Sequence, residues 1–157
     1  MSIERVPAID RLLAIEEIKV LKARYFWSLD RKDWDLFGAL FTSDAVFDLG
    51  GAGLDEDTGS DAAEPNAVPA ELIGPAAIRG AASELFRTAV TVHHGHSPQI
   101  DVTGPDDATG IWAMSDWVDF GDRSFRGAGH YDEDYRRVDG GWLIARTRLT
   151  RLRLDWS

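Results

Sequence analysis

Histidine is the residue type in this sequence best suited to proton transfer, and three of the four histidines lie in one short segment, His93, His94 and His96. An imidazole can act as a general base near neutral pH or as a metal ligand. In an extended strand, alternation directs His93 to one face and the other two to the opposite face. No carboxylate accompanies His94 and His96 at helical or hairpin spacing, so the metal signal is weak. The segment offers a candidate base, His93, and, as a distant alternative, a metal-dependent hydrolase site.

A carboxylate that could partner His93 is Asp30, which stands where an apolar helix is predicted to end. The helix macrodipole is negative at that end, so a carboxylate there needs a compensating partner or solvent. A histidine across a cavity would provide the partner, and Asp30 would then orient the imidazole and stabilise its protonated form. Spacing alone favours the simpler alternative, in which Asp30 only begins a turn.

Arginine and tryptophan are the candidates for ligand binding. The last predicted strand carries four arginines, Arg146, Arg148, Arg151 and Arg153. Strict alternation predicts the first two on one face and the last two on the other, together with Leu143 and Leu149. An inward arginine would anchor a carboxylate or an oxyanion, whereas outward arginines would pair with acidic surface. Six tryptophans fit either core and oligomer contacts or a ligand cavity.

The composition excludes several classes of function. The 157 residues include 27 acidic and 17 basic side chains and no cysteine, which excludes thiol nucleophiles, disulfide scaffolds, iron–sulfur clusters and thiolate zinc sites. Between Lys32 and Arg79 there are ten acidic residues and no basic one. This stretch predicts a solvated acidic surface that disfavours nucleic acids and anionic membranes. Without long apolar runs or a secretory pattern, we expect one soluble, cytoplasmic domain over residues 1–157.

The hydrophobic pattern predicts helices in the first half of the chain. Apolar residues recur every three or four positions over 9–29, with Glu16, Glu17, Lys19 and Lys22 mostly on the polar side. A short second helix follows an N-cap at Asp33, and a third helix is predicted over 76–88. The acidic, Gly-rich segment 50–71 is predicted to be a long loop, either a lid or disordered.

Strands dominate the second half. Period-two patterns and turn residues predict a short strand over 45–49 and four longer strands over 90–102, 108–120, 125–138 and 142–154. Asp139-Gly140-Gly141 is typical of a tight hairpin turn. Helices followed by an antiparallel meander indicate an α+β domain with helices on one face of the sheet.

Three segments of the chain resemble SnoaL-like proteins of the nuclear transport factor 2-like superfamily. The first segment, 21–45, begins with Leu21-Lys22-Ala23-Arg24-Tyr25 and ends with Phe41-Thr42-Ser43-Asp44-Ala45. The second runs from His93 to Ile100, and the third from Tyr131 to Trp142. The resemblance implies a cone-shaped, curved antiparallel sheet with N-terminal helices enclosing a pocket, the cystatin-like roll. It is nearest to the bile acid 7α-dehydratase, scytalone dehydratase and hexachlorocyclohexane dehydrochlorinase branches, which are cofactor-free lyases with a His–Asp dyad.

The resemblance also implies roles for individual residues. Asp30 matches the position of the dyad aspartate, and His93 matches the position of the general base. Tyr25 falls on a tyrosine that contacts the departing hydroxyl, and Arg151 on a pocket arginine.

Three further residues are candidates for substrate binding. Leu49 falls where the dehydratases have a second pocket tyrosine, which removes a hydroxyl. Tyr131, together with Gly129, replaces a polar pair of scytalone dehydratase. Trp112 is the candidate pocket tryptophan.

We therefore expect a lyase that eliminates water from a small hydrophobic cyclic or polycyclic hydroxy compound, with no cofactor and no metal. The alternatives are an isomerase or cyclase that uses the same dyad, and a non-catalytic ligand-binding protein. Neither nucleic acid nor membrane is an expected partner. A homo-oligomer, dimer or trimer, is expected because the outer face of a curved sheet needs cover.

Overall fold

The computed structural model describes residues 6–51 and 69–157, so most of the predicted acidic loop, 52–68, lies outside the described residues. Within them the chain forms three helices and six strands. The helices are α1 (Ala8–Arg31), α2 (Trp34–Ala39) and α3 (Pro75–Leu85). The strands are β1 (Phe41–Gly51), β2 (Glu71–Ile73), β3 (Val90–Val102), β4 (Asp107–Asp119), β5 (Ser124–Val138) and β6 (Gly141–Trp156).

Helix α1 buries the predicted apolar stripe but also one lysine. Leu21, Tyr25 and Leu29 are buried at helical spacing, as the pattern predicts. The expectation that Lys22 lies on the polar side is wrong, since Lys22 is fully buried. It shares the inward face with Tyr25 and Leu29, three and seven positions further on, and a buried carboxylate compensates its charge.

Helix boundaries follow local capping. Asp33 accepts a hydrogen bond from the backbone N–H of Leu36 at 3.1 Å, which confirms the predicted N-cap of α2. Helix α1 ends at Lys32, whose left-handed backbone (φ 61°) closes the last turn. This tight junction fixes the position of Asp30 relative to the sheet.

The sheet has the strand order β2-β1-β6-β5-β4-β3. Strands β3 to β6 form the predicted antiparallel meander, and positive φ at Asp139 and Gly140 (50° and 83°) produces the predicted tight turn. Strand β1 is longer than predicted and pairs parallel to β6. The sequence pattern missed β2, because three residues beside a polar loop carry too little periodicity.

Two irregularities in β6 change which side chains face the helices. The pairing of β5 with β6 shifts by one residue near position 145 and again near 152. Each extra residue reverses the alternation. Arg151 and Leu149 therefore share the inner face, as predicted, but the predictions for Leu143 and Arg153 are wrong. Arg153 is 75% exposed and pairs with Asp155 on the surface.

The buried core joins the apolar side of α1 to the inner face of the sheet, with α2 and α3 closing one end. This arrangement confirms the predicted α+β class. No helix among residues 6–51 and 69–157 is long and apolar enough to cross a membrane.

The outer surface matches part of the charge analysis. Asp44 pairs with Arg136, and Asp48 lies within 4 Å of both Arg146 and Arg148. The described part of the acidic stretch therefore meets arginines from the second half of the chain, as expected. Trp117 remains 46% exposed in the single chain. The expected homo-oligomer stays a prediction.

Candidate active site

An apolar cavity lies between the helices and the inner face of the sheet. Its lining is mostly aliphatic and aromatic, with five polar side chains: Tyr25, His93, Asp116, Tyr131 and Arg151. The cavity is narrow, with a volume of about 70 Å³. Convergent polar groups in an apolar cavity are typical of a small-molecule site.

The structure brings Asp30, from the last turn of α1, against His93 on β3. Asp30 Oδ1 lies 2.7 Å from His93 Nδ1, and Asp30 Oδ2 accepts the His93 backbone N–H at 2.9 Å. The His93 side chain is 5% exposed and that of Asp30 is 24% exposed. The ring of Phe86 packs edge-on against the imidazole at 5.8 Å between centroids. Three contacts from two residues therefore hold the imidazole in one orientation.

The electrostatics of Asp30 define the proton positions in this pair. Burial by itself raises the pKa of the Asp30 carboxyl, but hydrogen bonds from His93 and Thr91 outweigh it, and the pKa lies below its ordinary value. Asp30 is therefore ionised at neutral pH and accepts a hydrogen bond from the Nδ1–H group of His93. In the neutral imidazole the other nitrogen, Nε2, is then the acceptor, as a general base requires.

Two supporting residues, Thr91 and Lys32, carried no signal in the sequence analysis. The Thr91 hydroxyl donates to Asp30 Oδ1 at 2.9 Å and accepts from Lys32 Nζ at 2.8 Å. Partial burial lowers the pKa of Lys32, against the opposing effect of Asp30. Only the register of β3 against the end of α1 brings these groups together, so a linear pattern could not reveal them.

Tyr25 and Tyr131 form the opposite part of the polar lining. Their rings pack edge to face with 5.9 Å between centroids, and both are fully buried. Burial raises the pKa of both hydroxyls well above the ordinary value, with nearby negative groups adding to the shift. Both phenols are therefore protonated at neutral pH and can donate hydrogen bonds.

Arg151 pairs inside the cavity with Asp116, a residue that sequence analysis did not select. Arg151 Nη2 donates to Asp116 Oδ2, and the two side chains are 5% and 1% exposed. Asp116 faces inward because β4 alternates regularly, with Trp112, Met114 and Val118 on the same buried side. An alternating strand with one inward aspartate was the signal that could have identified it. The pair makes this end of the cavity polar without a large net charge.

The predictions that Leu49 and Trp112 line the cavity have different outcomes. Leu49 lines the cavity from β1. The prediction for Trp112 is wrong, because Trp112 does not line the cavity. The indole N–H of Trp112 donates to the Tyr135 hydroxyl at 2.7 Å in the buried core.

The other histidines of the segment lie outside the cavity. His94 and His96 are exposed, as alternation predicts. Within the described ranges 6–51 and 69–157, no group of three or more histidine or carboxylate side chains is arranged to hold a metal ion.

Comparison with known proteins identifies the class to which this fold and cavity belong. Residues 10–148 match the SnoaL-like domain family. The chain therefore belongs to the SnoaL-like family, and its fold is similar to that of a solved protein with a cystatin-like fold.

Three solved structures illustrate the similarity. A protein from Novosphingobium aromaticivorans, provisionally named as an aromatic ring hydroxylase, is 25% identical, with a TM-score of 0.77 over 98% of this chain and 96% of that one. A second protein of that organism, provisionally named as a scytalone dehydratase, is 19% identical, with a TM-score of 0.77 over 95% and 91%. Hexachlorocyclohexane dehydrochlorinase LinA-type3 from Novosphingobium barchaimii is 18% identical, with a TM-score of 0.71 over 96% and 94%. The last two likenesses concern the fold alone.

Proposed function

We propose that this protein is a cofactor-independent lyase that removes water from a small cyclic hydroxy compound, with His93 as general base and Asp30 as its partner. The observation that carries the proposal is the 2.7 Å contact of Asp30 with His93 Nδ1 at the wall of an apolar cavity. The similarity to proteins named as dehydratase and dehydrochlorinase supports the reaction class.

The proposed reaction is an elimination in which all protons are accounted for. His93 Nε2 takes a proton from a carbon next to a carbonyl, the carbon–carbon double bond forms, and the bond to the hydroxyl oxygen breaks. The imidazolium returns the proton to the departing hydroxyl, so water leaves and His93 is neutral again. Asp30 stabilises the imidazolium meanwhile, and Tyr25 and Tyr131 donate hydrogen bonds to the departing oxygen.

The lining of the cavity favours an uncharged substrate. Asp116 compensates the Arg151 charge, so a buried carboxylate on the substrate would have to compete with Asp116 for the guanidinium. The apolar lining favours a hydrophobic ring in the buried part of the substrate. We therefore propose a cyclic β-hydroxy ketone, or the cyclic part of a larger hydroxy compound, as substrate.

The test is an incubation in heavy water with cyclic β-hydroxy ketones and hydroxysteroid coenzyme A thioesters, following enone absorbance and deuterium uptake. Asp30→Asn and His93→Ala are each expected to lower the rate at least about 100-fold, the lower limit of general acid–base assistance. Asp35→Asn is the matched control, because the Asp35 side chain is 96% exposed and pairs with Arg79 at the surface. It is expected to retain the full rate.

Other outcomes would separate the alternatives. Deuterium uptake without enone formation, lost in Asp30→Asn, would replace the lyase by an isomerase or cyclase using the same pair. Unchanged rates in Asp30→Asn and His93→Ala would exclude the dyad. If wild type turns over nothing but releases a ligand that Asp30→Asn binds equally well, detected by mass spectrometry of the purified protein, the protein is a ligand-binding member.

A further inference from the structure

A buried ion pair lies directly behind the cavity and takes no part in the proposed reaction. Lys22 Nζ on α1 donates to Glu133 Oε1 on β5 at 2.5 Å, and both side chains are 0% exposed. Glu133 also accepts the Thr147 hydroxyl at 2.9 Å and the Tyr135 hydroxyl at 2.5 Å. The carboxylate is thus held by three donors, and it fixes the position of the ammonium.

The remaining surroundings of the ammonium are aromatic. Lys22 Nζ lies 3.7 Å from the centroid of the Tyr131 ring, 4.0 Å from that of Tyr25 and 4.9 Å from that of Phe26. All three are within the range of a cation–π interaction, which is strongest when the cation is removed from water. Two of these three residues, Tyr25 and Tyr131, line the cavity.

A charge at this position is costly for the fold. Burying a lysine is costly, and burial indeed lowers the pKa of Lys22, although Glu133 opposes the shift. Well-packed apolar residues in place of a buried ion pair are often at least as stable. The location of this pair, in contact with the two phenols of the cavity, therefore points to a role in the site.

We propose that Lys22 is a positioning residue for the candidate active site: its ammonium, anchored by Glu133, binds the ring faces of Tyr25 and Tyr131 and strengthens both hydroxyls as hydrogen-bond donors to substrate. A cation on the ring face stabilises negative charge on the phenol. Each hydroxyl then donates a stronger hydrogen bond to the departing oxygen, which gains negative charge as its bond to carbon breaks. The catalytic consequence rests on the proposed function, whereas the effect on the phenols does not.

Other charged groups act on the same phenols and must stay constant in a test. Glu133 and Asp116 disfavour the ionised phenol, and Arg151 favours it. Glu133 lies two residues from Tyr131 on the same face of β5, roughly 7 Å along the strand. The ammonium, 3.7 Å from the centroid, is in direct contact with the face of this ring.

The test introduces a trifluorinated tyrosine at position 131 and follows its ionisation by fluorine NMR. The fluorines lower the pKa of the phenol and so bring its titration towards an accessible pH range. Lys22→Met is expected to lower the phenol ionisation constant at least threefold, whereas Lys22→Arg, which keeps a cation that stacks on aromatic rings, restores most of it. Lys19→Met is the matched control, since Lys19 is an exposed lysine of the same helix that pairs with Glu16. It is expected to leave the ionisation unchanged.

A second variant keeps the proposal testable if Lys22→Met does not fold. Lys22→Met combined with Glu133→Gln removes both charges and is compared with Glu133→Gln alone, so that the two proteins differ only at Lys22. The ionisation constant is expected to be lower in the double variant. An ionisation constant of Lys22→Met equal to that of Lys19→Met, or of the double variant equal to that of Glu133→Gln, would overturn the proposal.

Kinetics supply a separate readout if wild type turns over a substrate of the panel. Lys22→Met is then expected to lower kcat at least threefold with little change in KM, and to have no further effect once Tyr25 and Tyr131 are phenylalanine. A full further loss in that background would show that Lys22 acts by another route. If no substrate is turned over, the proposed function fails, and the fluorine titration still decides the role of Lys22.

Discussion

Replacing Gly127 by alanine is expected to destabilise the fold through the buried pair of Asp116 and Arg151. Gly127 lies opposite Asp116 in the pairing of β4 with β5. A Cβ built at position 127 would approach both Asp116 Oδ1 and Arg151 Nε more closely than 3.0 Å, a distance that real Cβ atoms essentially never go below. The missing side chain is therefore what makes room for the ion pair.

The size of the effect follows from how little the pair can move. The side chains of Asp116 and Arg151 are 1% and 5% exposed, so neither can exchange its partner for solvent. Overpacking a filled interior costs about 1–3 kcal/mol, and breaking a buried ion pair costs about 3–5 kcal/mol. Partial displacement lies between these limits, and we expect Gly127→Ala to lower the free energy of unfolding by about 2–4 kcal/mol.

Urea unfolding measures this change, with Gly80→Ala as control. Gly80 is exposed in α3 with nothing within 4 Å of the added Cβ, so alanine there should stabilise by about 0.5–1 kcal/mol. In an Asp116→Ala background, Gly127→Ala is expected to cost at least about 1 kcal/mol less than in wild type, since one of the two clashes is gone. The reasoning is refuted if Gly127→Ala changes the unfolding free energy by less than about 0.5 kcal/mol.

Two further predictions concern aspartates near the junction of α1 and α2. The lowered pKa of Asp30 means that its ionised form stabilises the folded state above about pH 4 and that this contribution is lost as the pH falls through the folded-state pKa. The difference in urea midpoint between wild type and Asp30→Asn should therefore be largest near pH 7 and shrink by pH 3, and a constant difference would contradict it. Asp33→Ala removes the N-cap hydrogen bond from Leu36 and should lower the free energy of unfolding by about 0.5–2 kcal/mol. Asp35→Ala, at an exposed surface position, should change the free energy of unfolding by less than about 0.5 kcal/mol in thermal or urea unfolding. Equal losses in the two variants would contradict the capping role of Asp33.

The sequence by itself determined the helices and the long antiparallel strands of this protein. Helical spacing of apolar residues defines α1, the Asp33 cap starts α2, and alternation with an Asp-Gly turn defines the long antiparallel strands. These signals are local, because a side chain three or four positions along a helix, or two along a strand, faces the same way whatever lies opposite. The resemblance to SnoaL-like proteins added the expected cavity and the residues to examine in it.

Tertiary structure alone decided which side chains meet in the site. Thr91 and Lys32 join Asp30 only because the end of α1 lies against β3. Asp116 meets Arg151 only because the register of three strands aligns them across Gly127. No local pattern encodes such contacts, since they depend on how distant elements are aligned.

The same reason explains the predictions that were wrong. Lys22 looks like a surface residue in a helical pattern, but Glu133, 111 residues away in the chain, compensates its charge in the core. Arg153 follows the alternation of Arg151, but one extra residue in β6 turns it outward. Local periodicity fixes the face of a residue within a regular element, whereas bulges, strand register and charge compensation depend on partners that only the folded chain brings together.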